Sequence, residues 1–200
     1  MTSRDTENLN KGFFDSLRYK ICVSGAAETG VCAPDALEKT ERLGRLIAER
    51  GMILVTGATT GAPYWAAKGA KEAGGIVIGI SPATTKIQHI KSYQLPTDYH
   101  DVIMYTGFGY SGRNLLLTRS SDAVITVCGR IGTLNEFTSS FEDGRPQGVL
   151  SDSGGTTNLI PEIIERAHRG LGKVAFDADP EKLLDKVVAL MKEEEKALAP

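Results

Sequence analysis

Short, nearly uninterrupted apolar runs recur along the chain and alternate with stretches of helical period. YKICVSG (19–25) precedes an amphipathic stretch from Asp35 to Arg50, and MILVTG (52–57) precedes one from Pro63 to Ala73. GIVIGIS (75–81) leads into a polar excursion, SPATTKIQHIKSYQLPTDYH, after which the pattern resumes. DVIMYTG is followed by a helix from about Arg113, DAVITVCG by one from Thr133, QGVLSD by one from Pro161, and KVAFD by a last one from Pro180. Runs that do not alternate apolar with polar residues suit strands buried on both faces. Strands separated by helices pair in parallel through right-handed crossovers. The predicted fold is therefore α/β, a doubly wound sheet of about seven mainly parallel strands with helices on both faces.

The punctuation supports this parsing. Asp35 and Glu38 form a helix-start signal, Gly51 follows the last turn of that helix, and Gly74-Gly75 closes the next. Residues 1–18 are polar and aperiodic apart from Phe13, Phe14 and Leu17, which predicts a mobile arm ahead of a single domain over 19–200. A chain of 200 residues with 41% apolar content suits one core. Its 23 basic and 25 acidic residues nearly cancel, so no basic surplus is available for a phosphodiester backbone and no nucleic-acid partner is expected. No apolar run has membrane-spanning length and the opening residues lack a signal-peptide core, so the expected address is the cytoplasm, with no membrane partner. Cys22, Cys32 and Cys128 are odd in number and lack metal-ligand spacing. They are expected as reduced thiols, with Cys22 and Cys128 serving as small hydrophobes inside strands; no metal and no cofactor are expected.

In an open parallel sheet, ligands bind beyond the carboxyl ends of the strands, and those segments are rich in glycine here. They read Ser24-Gly25-Ala26-Ala27, Thr56-Gly57-Ala58-Thr59-Thr60-Gly61, Thr106-Gly107-Phe108-Gly109-Tyr110-Ser111-Gly112 and Gly129-Arg130-Ile131-Gly132-Thr133. Such turns let backbone amides approach an anion, and the following helix dipole adds attraction. The expected phosphate or ligand contacts are Gly25, Gly57, Thr60, Gly61, Gly109, Ser111, Gly112, Asn114, Gly129, Arg130, Gly132 and Thr133. No Walker loop is present; Gly107, Gly109 and Gly112 match the dinucleotide fingerprint in letters, but no acidic residue ends a strand about 20 residues later. Arg113 opens a helix where the dipole disfavours a cation, which invites an anionic partner. Thr133-Leu134-Asn135-Glu136 reads as a capping box, and local capping accounts for Glu136 on sequence grounds; the alternative is a carboxylate facing the ligand. His89, His100 and His168 are expected to be solvated, and Tyr64 and Trp65 to staple their helix to the core.

The segments VTGATTGAPYWAAKGAKEAGGIVIGISP, GYSGRNLLLTRSSDAVITVCGRIGTLNEF and KVAFDADPEKLLDKVV resemble the Lonely-guy, or lysine-decarboxylase-like, family within a wider Rossmann-like superfamily. The resemblance runs from about Tyr19 to Leu190 and is to the shorter branch, which includes molybdenum cofactor carrier proteins. It implies binding of a small nucleotide or nucleotide-like ligand and self-association as a dimer or tetramer. The family's P-G-G-x-G-T-x-x-E motif matches Cys128 to Glu136, which implies catalytic roles for Glu136 and Arg113 in cleaving the N-glycosidic bond of a nucleoside 5′-monophosphate. The alternative is a carrier or sensor that binds a nucleotide or molybdenum cofactor without cleaving it. Four departures stand out: Cys128 replaces proline, Arg130 replaces the second glycine, Asn114 replaces the lysine of the hydrolases, and Ala62-Pro63-Tyr64-Trp65 stands where the hydrolases carry a Gly-Leu-Met-Gly pattern.

Overall fold

The computed structural model describes residues 17–198. Apart from Leu17 and Arg18, the arm expected at the start of the chain lies outside these residues. Seven strands form one sheet: β1 (Lys20–Gly25), β2 (Ile53–Thr56), β3 (Val77–Ser81), β4 (Val102–Tyr105), β5 (Ala123–Val127), β6 (Gln147–Leu150) and β7 (Val174–Asp177). Their order is β4-β3-β2-β1-β5-β6-β7 and every pairing is parallel. The chain winds outward from β1 to β4, returns to place β5 beside β1, and winds out the other way. The direction of winding thus reverses between β1 and β5, where the diverging crossovers leave a crevice at the carboxyl edge.

Helices α1 (Ala36–Glu49), α2 (Ala62–Glu72), α3 (Lys86–Lys91), α4 (Gly109–Arg119), α5 (Ile131–Glu142), α6 (Ile160–Ala167) and α7 (Pro180–Leu198) complete the architecture. Successive strand side chains point to opposite faces. Ile21 and Val23 therefore pack with Leu43, Ile47, Ala66, Leu183 and Val187 of α1, α2 and α7 on one face. Cys22 and Val124 meet Leu117 of α4 on the other, where α5 and α6 add Phe137, Ile160 and Ile164. Close approach of α1 and α2 depends on Gly44 and Gly69, because a Cβ at either would overlap the backbone of the facing helix, at Ala66 and Glu41 respectively.

Several sequence expectations need correction. Helix α5 begins at Ile131 with Arg130 as its N-cap residue, so Thr133 is already inside the helix and the capping box does not form. Helix α4 begins at Gly109, one turn before Arg113, and the polar excursion contains the short helix α3. His89 is not solvated: it is wholly buried, with Nδ1 2.8 Å from Ser81 Oγ and Nε2 2.9 Å from the Pro96 carbonyl. His100 is also engaged, with Nε2 2.9 Å from Thr56 Oγ1 and Nδ1 2.8 Å from the Asp98 carbonyl. Tyr64 and Trp65 are half-buried and pack on Tyr99 and Lys68, not into the main core. The largest correction concerns the thiols: Cys32 and Cys128 form a disulfide across 96 residues with a Cα–Cα distance of 5.3 Å, and Cys22 alone is free, buried in the sheet.

Candidate functional site

A cleft of about 350 Å³ opens where the winding reverses. The end of β1 supplies Val23 to Glu28, the turn after β2 supplies Gly57, Thr59 and Pro63, helix α4 supplies Tyr110, Arg113, Asn114 and Leu117, and the start of α5 supplies Arg130 to Thr133 with Glu136. Leu134 is the first residue of α5 whose N–H reaches back, bonding the Arg130 carbonyl at 3.0 Å. The N–H groups of Ile131, Gly132 and Thr133 precede that bond, find no backbone acceptor among the described residues, and sit at the positive end of the helix dipole. Oriented donors of this kind form an anion cradle.

Glu136 and Arg113 are each only 5% exposed. Ser24 Oγ donates to Glu136 Oε2, and Arg113 Nη1 lies 3.4 Å from Glu136 Oε1. Burial pushes the Glu136 carboxyl above the usual carboxylate range, an effect that the Arg113 charge and the Ser24 hydroxyl oppose without cancelling. Arg113 Nε is buried with no partner among the described residues, which leaves a charged group with donor capacity to spare beside the cleft. The guanidinium also lies 5.8 Å from the centroid of the Tyr110 ring. Beneath it runs Gly57, where a Cβ would overlap Nη1; the absent side chain is what lets Arg113 reach Glu136. Asn114 joins the cluster in either amide orientation. In one, it donates to Asn135 Oδ1 at 3.0 Å; in the other, it donates to Glu136 Oε1 at 2.8 Å and to the Tyr110 carbonyl at 2.9 Å.

Of the residues expected at the site, the structure brings Gly25, Gly57, Arg113, Asn114, Arg130, Gly132, Thr133 and Glu136 to this one cleft. Thr60, Gly61, Gly109, Ser111, Gly112 and Gly129 fall outside its lining. Their letters have local explanations. Gly61 has φ +70° and packs so tightly on the Ala26 carbonyl that no Cβ fits. Gly109 has φ +63° and donates to the Pro82 carbonyl, while Gly112 abuts Phe108. Gly129 backs onto Thr133 and Thr156, Ser111 is exposed, and Thr60 Oγ1 donates to the Ala27 carbonyl at 3.1 Å. Ser24 was missed because it is a polar letter inside an apolar run, and Tyr110 because aromatic residues in a glycine-rich turn carry no directional signal.

A parallel α/β sheet with a polar cleft at its switch point is the Rossmann-like arrangement. Within that class, residues 18–184 match the SLOG cluster4 family, to which the chain belongs. A molybdenum cofactor binding protein from the phototrophic bacterium Rippkaea orientalis is similar at 29% identity and a TM-score of 0.72, the match covering 90% of this chain and 98% of that one. A molybdenum cofactor carrier protein from Chlamydomonas reinhardtii has 28% identity and a TM-score of 0.72 over 88% of this chain and 99% of that one. An uncharacterised protein from Archaeoglobus fulgidus is 33% identical over 126 residues, 63% of this chain and 78% of its own length. DNA processing protein A from Helicobacter pylori, at 19% identity and a TM-score of 0.60, shares the fold. Among the described residues no helix is long and apolar enough to cross a membrane.

Proposed function

We propose that this protein binds a small phosphate-bearing ligand, a nucleotide or a molybdenum cofactor, and holds it as a carrier. One observation supports the reading most directly: the free amides at the start of α5 and the buried Arg113 guanidinium line the same cleft. The amides would take the phosphate, and Arg113, with Nε still unpaired, would add charge beside it. The likeness to molybdenum cofactor proteins over nearly their full length favours that cofactor as cargo. Carriage is favoured over cleavage because both oxygens of Glu136 are already engaged, one by Ser24 and one by Arg113, and burial disfavours its charged form. A neutral carboxyl stabilises a developing ribosyl cation poorly.

The second reading, N-glycosidic cleavage of a nucleoside 5′-monophosphate, draws on the presence of Glu136 in the cleft lining. Incubation with AMP separates the two. Tight binding with AMP recovered intact supports the carrier, whereas release of adenine that Glu136→Gln abolishes supports the hydrolase. No binding of AMP or of molybdenum cofactor, read by calorimetry, contradicts both.

The partner on the protein side is a second copy of the chain. The flank of β4 leaves Val102 and Met104 half-exposed, and Phe108, Leu115 and Leu116 extend the apolar surface along the adjoining turn and α4. Packing this face on itself would remove it from water. Sedimentation should show an oligomer that Met104→Glu dissociates; a monomeric wild type contradicts this.

A further inference from the structure

The disulfide joins two neighbouring segments that lead into the cleft, one after β1 and one after β5. Cys128 follows β5 directly and precedes the turn into α5, while Cys32 closes a segment whose first residues, Ala26, Ala27 and Glu28, line the cleft. The start of that segment is well held: Ala26 N–H donates to the Cys128 carbonyl at 2.6 Å, the Ala26 carbonyl accepts from Ala62 N–H at 2.9 Å, and the Ala27 carbonyl accepts from Thr60 Oγ1 at 3.1 Å. Its far end bridges Gly154 at Cys32, with Ala33 N–H donating to the Ser153 carbonyl at 2.9 Å, so the stretch from Glu28 to Val31 is the part with least support. Glu28 pairs with Arg130 across the cleft rim, but both side chains are exposed. The single 3-10 turn at Thr29–Val31 contains no buried residue. Cys128 itself has φ +24°, a conformation that costs a non-glycine residue energy and persists only where its surroundings hold it.

We propose that Cys32–Cys128 is a thiol-exchange site that sets the affinity of the cleft for its anionic ligand. Oxidised, it clamps residues 28–32 beside the cradle; reduced, it frees them and lets the Cys128 backbone relax away from the geometry that aims the α5 amides. The affinity effect rests on the reading of the cleft as a phosphate site. The reductant is a dithiol. Its thiolate attacks Cys32 Sγ, because Cys32 is the less buried of the two residues, half-buried where Cys128 is wholly buried. The Sγ–Sγ bond breaks, a mixed disulfide forms on Cys32, and Cys128 leaves with the electron pair and takes up the proton the reductant gave up. The second thiol of the reductant then displaces Cys32, which is protonated in turn, and the reductant ends as its own disulfide. Cys22 takes no part, being buried beside Val55 and Leu117 on one face of the sheet.

The test compares the full chain oxidised, reduced with dithiothreitol, and carrying Cys32→Ser, by hydrogen exchange and by AMP titration. Reduction should speed amide exchange in residues 28–32 and 128–133 by about tenfold or more while the central strands hold. It should also weaken AMP binding by roughly tenfold, and Cys32→Ser should match the reduced form with or without reductant. Unchanged exchange overturns the proposal. Faster exchange with equal AMP affinity in both states also overturns it and leaves the phosphate reading standing. Absence of AMP binding in every form overturns the phosphate reading instead, and exchange alone then decides the tether.

Discussion

Glu136 lines the cleft, and its environment decides how it behaves. Burial outweighs the guanidinium and the hydroxyl that face it, so its carboxyl holds a proton above the ordinary carboxylate range. Since the folded chain then binds more protons than the unfolded one, the stability contributed by this group is complete below the ordinary carboxylate value and is lost as pH rises through the raised one. Infrared difference spectra between wild type and Glu136→Gln should show a protonated carboxyl band at mildly acidic pH that the variant lacks; identical spectra contradict the assignment. Gly132 offers a complementary probe. A Cβ there meets nothing closer than Asn114 Nδ2 at 4.0 Å, so Gly132→Val should fold normally yet occlude the cradle. Calorimetry should find AMP affinity reduced by about tenfold or more with little change in the unfolding midpoint. At this scale the sequence was only partly informative. Arg113 was legible from its place after a glycine-rich turn, but Glu136 pointed to the cleft only through the family resemblance, because T-x-x-E suggested a cap that the real helix start forbids, and the pairing of Cys32 with Cys128 spans 96 residues with no local signal.

The strand-end turns show how elements hold the site. Thr56 Oγ1 ends β2, accepts the Ala58 N–H at 3.1 Å, and meets His100 Nε2. Ser81 does the same for β3 with Ala83 and His89. Each hydroxyl fixes the turn that follows it, and each is held by an imidazole that accepts the hydroxyl proton. For His100, burial lowers the pKa below its ordinary 6.5, against the Asp98 carbonyl that favours the charged form. The folded chain therefore binds fewer protons than the unfolded one, and stability from this group is lost as pH falls from about 6.5 through the lowered value. Denaturant midpoints should drop between pH 7 and 5 in wild type and drop less in His100→Gln; parallel curves contradict this role. All seven strands were legible in the sequence: the inner ones because burial on both faces writes itself as a continuous apolar run, the edge strands β4 and β7 because their short runs stay apolar although part-exposed. Helix α3 was not, since six residues capped by Thr85 inside a polar stretch give no periodicity to read. The turn at 107–112 misled because glycine letters do not tell which way a turn faces, and here it packs on the loop after β3.

At the scale of the whole molecule, topology does most of the work. Placing β5 beside β1 brings together residues more than a hundred positions apart, Ser24 with Glu136 and Glu28 with Arg130, and so creates the cleft. The α/β class followed from strand and helix alternation alone, whereas the strand order with its switch point, the disulfide beside the cleft and the exposed flank of β4 emerged only in three dimensions. The central claim is that the α5 amides and Arg113 jointly hold an anion. Titration of AMP into nitrogen-15-labelled protein tests it most directly. The amide signals of Gly25, Gly57 and Ile131 to Thr133 should shift together along one saturable curve, and Arg113→Ala should weaken that curve. Saturable shifts confined to another part of the surface, or none at all, would contradict it.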